Sequence, residues 1–490
     1  MRDGGRVRVR PTARRGALPA ALAAVLLATG APAPAATTDP GAAPAGTPPA
    51  GTAPAGTAPA DGGPGTAPPV LGALDAAAPA PGPVGLARAL DPLLADPDLG
   101  PAVSATVVDA ATGRPLFRRS GDVPRIPASV TKVVTAAAVL RALGPDAVLR
   151  TSVVPGARDG SLVLVGGGDP LLTAREREPG ALRPASLVDL ADATAAVLRE
   201  RRGAAGGPAP VALAVDDRLF SGPGAAPSWK PSYVGDGEVA PVAALAADHG
   251  LARPGTGDDA RVGDPALAAG ESFAALLRER GVPVRGAVRR AAAPAGAQPL
   301  AEVASPPVSA LVERMLQASD NDVAEALARH AAVAEGAAAD FAGAGATTTG
   351  ALREEVADLG PAAGRLRLLD GSGLSRGNRL TSDAVALLLA EAGDAGDGRP
   401  LEALLPGLPV AGFSGTLATR YLEGPARSGA GLVRAKTGSL SGVTTLAGQV
   451  VDARGRLLTF AVLADDVTDA YGARAALDRV VAAVAACACG

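Results

Sequence analysis

"RIPASVTKVVTAAAVL" (residues 125–140) reads as the entry to a helix whose body is Val, Ala and Leu, with one discordant residue, Lys132, one turn after Ser129. The chain has 46 basic residues, of which only three are lysine, at 132, 230 and 436. Ala, Gly, Leu and Val lead the composition, with Pro and Arg close behind, and aromatics are scarce, so the core must be built from Ala, Val and Leu. Against that background Lys and Asn stand out wherever they occur. The only asparagines are Asn321 and Asn378. Ser129-Val-Thr-Lys132 is an S-x-x-K spacing, which puts both side chains on one helical face. A serine hydroxyl needs a base to become a nucleophile. Lysine can serve if burial or a neighbouring cation brings its pKa down from about 10.4. Arginine cannot, because it does not deprotonate in proteins. Taken alone, S-x-x-K also reads as an N-cap serine followed by a snorkelling lysine.

Two further motifs lie downstream. Ser319-Asp320-Asn321 separates the amphipathic stretches "VSALVERMLQ" and "DVAEALARHAAV". Its residue types are also those that punctuate helix ends, and Asp322 with Glu325 predicts a capping box. The chemical reading gives Ser319 a proton-relay role and sets the Asn321 amide against a substrate amide. Lys436-Thr437-Gly438 ends the run "GLVRA" on a predicted edge strand, a cation and a hydroxyl suited to a carboxylate. Two of the three lysines and one of the two asparagines fall in this ordered set, which makes coincidence a poor account.

In the order S-x-x-K, S-x-N, K-T-G, the sequence resembles the serine penicillin-recognising enzymes. The 190 positions from Ser129 to Ser319 are similar to the long insertion of one branch. That branch is the D-alanyl-D-alanine carboxypeptidase/endopeptidase family, the low-molecular-mass class C penicillin-binding proteins. "LVGGGDPLL" (164–172), Trp229 followed by "VAPVAALAAD" (239–248), and "LDGSGLSRGNRLT" (369–381) match as well, so the resemblance covers roughly residues 86–485. It implies an α/β fold of the serine β-lactamase/DD-peptidase-like transpeptidase type, an antiparallel sheet plus a helical subdomain with a large inserted α+β region. It implies that Ser129 forms an acyl-enzyme, Lys132 is its base, and Ser319 with Lys436 carries the proton to the leaving D-Ala. Backbone N–H groups of Ser129 and Ser439 would form the oxyanion hole, Thr437 beside Gly438 would bind the terminal carboxylate, and Arg376 and Leu440 would line the stem-peptide side chain. Partners implied are peptidoglycan stem peptides and β-lactams; no cofactor or metal is implied. Many members carry an acid three or four residues after the Trp, where Ser232 and Tyr233 stand here, leaving Asp236 or Glu238 as substitutes.

The wider chain frames this reading. Arg2 to Arg15, the apolar run 17–29 and the A-x-A at Ala33 and Ala35 predict a secretory signal over residues 1–36, with an uncleaved anchor as the alternative. That run is short for a membrane span, and an anchor there is the only membrane link expected; the location expected is extracytoplasmic, secreted or at the cell wall. Residues 37–84, with a pentad repeat in "GTPPAGTAPAGTAPA", predict a semi-extended linker. The penicillin-binding domain is then expected in two parts, 85–152 and 301–490, around an inserted α+β region at 153–300. A net charge of −3 with interspersed signs argues against nucleic acid. Cys487 and Cys489 read as part of a mobile tail, oxidised after export. "GLSRG" (373–377) matches a nucleophile elbow, but both histidines, His249 and His330, precede Ser375, the wrong order for an α/β-hydrolase. Both histidines read as surface or helix-end residues, and no H-E-x-x-H or other zinc ligand set is visible. A β-lactamase is disfavoured because no glutamate stands four residues before either asparagine and no Tyr-x-Asn occurs. A penicillin sensor or non-catalytic wall-binding module is the alternative of another class.

Overall fold

The computed structural model describes residues 78–176, 182–201, 208–356, 359–393 and 400–489. The stretch read as a signal, and all but the end of the stretch read as a linker, lie outside these. The first helix, α1 (Pro83–Leu94), begins with a proline at its first position, where the missing N–H costs nothing. Strands β1 (Ala102–Asp109) and β2 (Pro115–Arg119) form a hairpin around Thr112 and Gly113. The helix of the opening stretch, α2 (Thr131–Leu143), follows a single 3-10 turn, Ala128–Val130, that contains Ser129.

Sequence distance is closed by strand pairing. Strands β8 (Val433–Leu440), β9 (Val443–Val451) and β10 (Leu457–Asp465) come from the far end of the chain. They join the first hairpin in one antiparallel sheet of order β2-β1-β10-β9-β8. Helices α1 and α9 (Ala470–Ala485) bury one face of it, with Leu86, Leu90, Phe460 and Val481 in a common core. The other face carries α8 (Ser382–Gly393) and, beyond it, the helical group α2, α5 (Val308–Ala318), α6 (Asn321–Ala334) and α7 (Phe341–Glu355). All ten residues from Thr131 to Leu140 are buried, so α2 is apolar on every side and forms the centre of that group. Small Ala side chains let the surrounding helices approach it closely.

The inserted part has its own sheet and core. Strands β3 (Arg150–Pro155), β4 (Ser161–Val165), β5 (Ala212–Asp216), β6 (Arg289–Arg290) and β7 (Ala301–Ala304) form a mixed sheet, order β6-β5-β4-β3-β7. Helices α3 (Leu187–Glu200) and α4 (Pro265–Glu279) share its core. Because β3 pairs with β7, the unit runs from Arg150 to Ala304 and straddles the boundaries read at 153 and 300. Helix α4 begins where Pro265 opens the helix and Asp264 caps it by accepting from Leu267 N.

Three local expectations are corrected. The capping residue of α6 is Asp320, which accepts from Val323 N, while Glu325 turns inward to accept from the backbone of Gly371 and Ser372. His330 is buried in α6 against Phe220 and the Gly168 carbonyl, and burial pushes its pKa down to about 4. The C-terminal cysteines are not a free tail. Cys487, joined to Cys489 by a disulfide, is only 4% exposed, and Gly82 N donates to Cys489 O at 3.0 Å. A Cβ at Gly85 would lie 2.5 Å from that of Cys489, so glycine permits the contact.

Candidate active site

Four segments far apart in sequence meet at the N-terminal end of α2. Ala128 has φ 47, an uncommon left-handed conformation for a non-glycine residue, and it turns the chain so that Ser129 faces the edge strand β8. A side chain at Gly438 could not fit there: its Cβ would lie 2.1 Å from Thr445 Oγ1 and 3.0 Å from Ser129 N. Gly373 is equally constrained, with φ +91 and only 1.9 Å between a virtual Cβ and Ala128 O. Ser319 caps α5 in the left-handed conformation, φ 56, before Asp320 opens α6. The tight reversal between two helices presents Ser319 and Asn321 to the same space.

Lys132 is fully buried beneath Ser129, at 0% exposure. Its Nζ lies 3.2 Å from Ser129 Oγ and donates to Asn321 Oδ1 and Ser372 O, both at 2.7 Å. Burial lowers its pKa to about 8, against the opposing pull of Asp370, Glu325 and other carboxylates. The two carbonyl oxygens can only accept. A neutral amine therefore gives both N–H bonds to them and directs its lone pair at Ser129. Lys436, equally buried, donates to Ser319 Oγ at 2.9 Å and to Thr437 O at 2.7 Å. Burial first, then the charge of Lys132, holds its pKa well below the usual lysine range.

These groups line a cleft of about 520 Å³ with Thr437, Ser439, Leu440, Tyr233, Asp236 and Glu238. Ser129, Ser319, Asn321, Thr437, Ser439 and Leu440 are thus brought together, with Lys132 and Lys436 immediately behind. Gly438 forms the close approach between β8 and the serine turn. Arg376 stands outside the lining and reaches over it, its Nη1 donating to Ser441 O at 2.6 Å. The Asn321 amide is held at both ends, since its Nδ2 donates to Glu238 O at 2.8 Å.

The residues that hold this arrangement carried no site role in the sequence reading. Asp370 accepts from Trp229 Nε1, Gly373 N, Ser375 N and Asn378 Nδ2 at 2.6 to 3.0 Å. It thereby folds the loop whose Ser372 carbonyl meets Lys132. Glu325 anchors the same loop from α6, and burial with the nearby Asp370 charge pushes its pKa up to about 7. The rarity of Trp and Asn was the available signal. Ser375 of the elbow-like motif is wholly buried in this loop.

Among the described residues the fold also assembles one group with metal-ligand spacing that the sequence did not suggest. Ligand atoms of His249, Asp320 and Asp322 lie within 4.8 Å of one another. Arg261 and Arg314 already face these carboxylates, at 3.4 and 3.5 Å, and Asp322 Oδ1 accepts from Ala240 N at 2.7 Å. The donor set is an ion-pair network that ties the inserted unit to the start of α6.

Comparison with known proteins gives the family. The D-Ala-D-Ala carboxypeptidase 3 (S13) family matches residues 86–260 and 254–485. A carboxypeptidase DacB from Mycolicibacterium smegmatis is 39% identical over 435 residues, 87% of this chain and 89% of that protein. A carboxypeptidase from Mycobacterium tuberculosis is 40% identical over 418 residues, 84% of this chain and 85% of its own. Penicillin-binding protein 4 (dacB) from Haemophilus influenzae has a similar fold, with TM-score 0.62 and 21% identity over 81% of this chain and 98% of that one. A buried lysine under a cleft serine, on a fold and sequence shared along nearly the whole folded length, places the chain in the D-Ala-D-Ala carboxypeptidase 3 (S13) family, as a serine peptidase.

Proposed function

We propose that the enzyme is exported and removes the terminal D-Ala from peptidoglycan stem peptides through an acyl-enzyme at Ser129, with endopeptidase action on D-Ala cross-links. The observation that carries this reading is the placement of Lys132 Nζ, 3.2 Å from Ser129 Oγ and donating to two carbonyls. Ser129 Oγ attacks the carbonyl of the penultimate D-Ala while its proton passes to neutral Lys132. The backbone N–H groups of Ser129 and Ser439 receive the developing oxyanion. The amide C–N bond breaks, and the leaving amine takes a proton from Ser319, resupplied by Lys436. Water then hydrolyses the ester and regenerates Ser129.

Thr437, whose Oγ1 lies 2.9 Å from Thr416 Oγ1, suits the terminal carboxylate. At the opposite end of the cleft, Leu440 and Arg376 border the space for the stem side chain, and Asp236 and Glu238 offer carboxylates to its free amine. A β-lactam, an acylating mimic of the same amide, would occupy Ser129. Penicillin-binding protein 4 from Haemophilus influenzae has also been solved in complex with a β-lactam.

The test is digestion of purified muropeptides, followed by mass spectrometry, with wild type and Ser129→Ala. Loss of D-Ala release and of penicillin labelling together is expected. Normal D-Ala release by Ser129→Ala would reject the assignment.

A further inference from the structure

The cleft continues past its carboxylate end into a second, larger groove. Thr416 belongs to both, and the groove holds about 820 Å³ between the loop 419–426 and the start of α9. A carboxypeptidase needs room on that side for one departing alanine only. The outer edge of β8 explains why the path runs this way. Residues 409–411 pair with β8 at Val433 and Ala435, through Ala411 N to Val433 O and Ala435 N to Pro409 O, both 2.9 Å. The edge from Lys436 to Leu440 is left facing the cleft, and a chain lying along it leaves over Thr416.

The groove's lining fits an acidic peptide. Tyr471 is 81% exposed, and Arg474 lies against its ring, with 5.6 Å from guanidinium carbon to ring centroid. Among the described residues no carboxylate pairs with Arg474. The neighbouring arginines are already matched, Arg420 with Asp478 and Arg479 with Asp96, each at 2.6 Å. Glu423 is the remaining acid of the lining. Arg474 with Tyr471 therefore offers an open cation and an aromatic face to a chain bearing carboxylates.

We propose that this groove binds the second stem peptide of a cross-linked substrate, the part that departs when the cross-link is cut. The inference rests on the serine peptidase reading of the cleft. In that reaction Ser129 Oγ bonds to the D-Ala carbonyl carbon, the bond to the side-chain amine of the second stem breaks, and that amine leaves with a proton. The leaving group then carries a whole acidic stem, which the groove holds.

The experiment measures kcat/KM of the full chain, wild type, Tyr471→Ala and Arg474→Glu, on three substrates. These are a monomeric pentapeptide stem, a cross-linked stem dimer without sugars, and the same dimer carrying its disaccharides. Both variants are expected to lose about tenfold on the sugar-free dimer while staying within about twofold of wild type on the monomer. Equal loss on monomer and dimer, or no loss on the dimer, overturns the proposal. A loss confined to the disaccharide-bearing dimer assigns the groove to glycan and overturns the peptide assignment. Wild type that trims the monomer but leaves both dimers intact defeats the groove proposal alone, whereas wild type inert on all three defeats the cleft reading with it.

Discussion

The two sheets of this molecule divide the work unequally. The antiparallel sheet and its helices supply every group to which the proposed mechanism gives a proton-transfer role: Ser129, Lys132, Ser319 and Lys436. The inserted unit supplies none of these, yet its loop 229–250 builds the opposite wall of the cleft with Lys230, Tyr233, Asp236 and Glu238. The junction mixes apolar packing, with Trp229 edge-on to Phe341 and Phe220 to His330, and a few polar links. Trp229 reaches Asp370, Glu238 O receives Asn321, and Asp322 takes Ala240 N. Chemistry and substrate selection are therefore separable in principle, and substitutions on either side should produce different kinetic signatures.

The largest effect is expected inside the catalytic part. Asp370→Ala leaves Trp229 Nε1 and three loop N–H groups without their acceptor, and each buried orphan costs about 1–3 kcal/mol. Denaturant melts should show a clear loss of stability, and acylation of the folded fraction should fall at least about 100-fold as the Ser372 carbonyl shifts away from Lys132. Unchanged acylation would disconnect that loop from catalysis. At the junction, Asp322→Asn weakens the contacts to Ala240, Arg261 and His249. Here kcat/KM for a stem peptide should fall about tenfold while labelling by a small β-lactam changes little. Equal losses on both would mean that the inserted unit shapes the chemistry itself.

Smaller effects belong to the inserted wall. Asp236→Asn and Glu238→Gln should raise KM several-fold for stems with a free side-chain amine, and leave acetylated stems alone, on the order expected for one lost charge-assisted contact. If both substrates respond alike, neither carboxylate reads the amine. The weakest signature is a pH effect at His249. Burial opposes its charge, but Asp322 and Asp320 outweigh burial and Arg314, so its pKa is raised above 6.5. The stability it adds is thus complete below about 6.5 and is lost as pH rises through the raised value. The Tm difference between wild type and His249→Gln should be largest near pH 6 and vanish at higher pH; a difference independent of pH would refute the linkage.

Much of this division was legible in the chain itself. The rare lysines and asparagine located three segments that meet at the cleft, and the unusual spacing between Ser129 and Ser319 announced an insertion. What stayed hidden depends on contacts between distant segments. Asp370 and Glu325 are ordinary acids in sequence, and only the approach of loop 369–381 to α6 and Trp229 gives them acceptor roles. His330 lies on a helix whose periodicity cannot say that Phe220 covers it. The C-terminal Cys-Ala-Cys resembled a loose end because its partner, α1, lies some 400 residues earlier. Local rules also misplaced the capping residue of α6 by two positions, because Glu325 is claimed by the loop rather than by its own helix end.

The central claim is that Lys132 acts as a neutral amine toward Ser129, and the acylation rate of Lys132→Arg against pH tests it most directly. Wild type should gain rate as pH rises through about 8, where Lys132 loses its proton. The arginine variant, cationic throughout, should be slower by about 100-fold or more, with no such rise. An arginine variant that acylates at the wild-type rate would contradict the role of Lys132 as base.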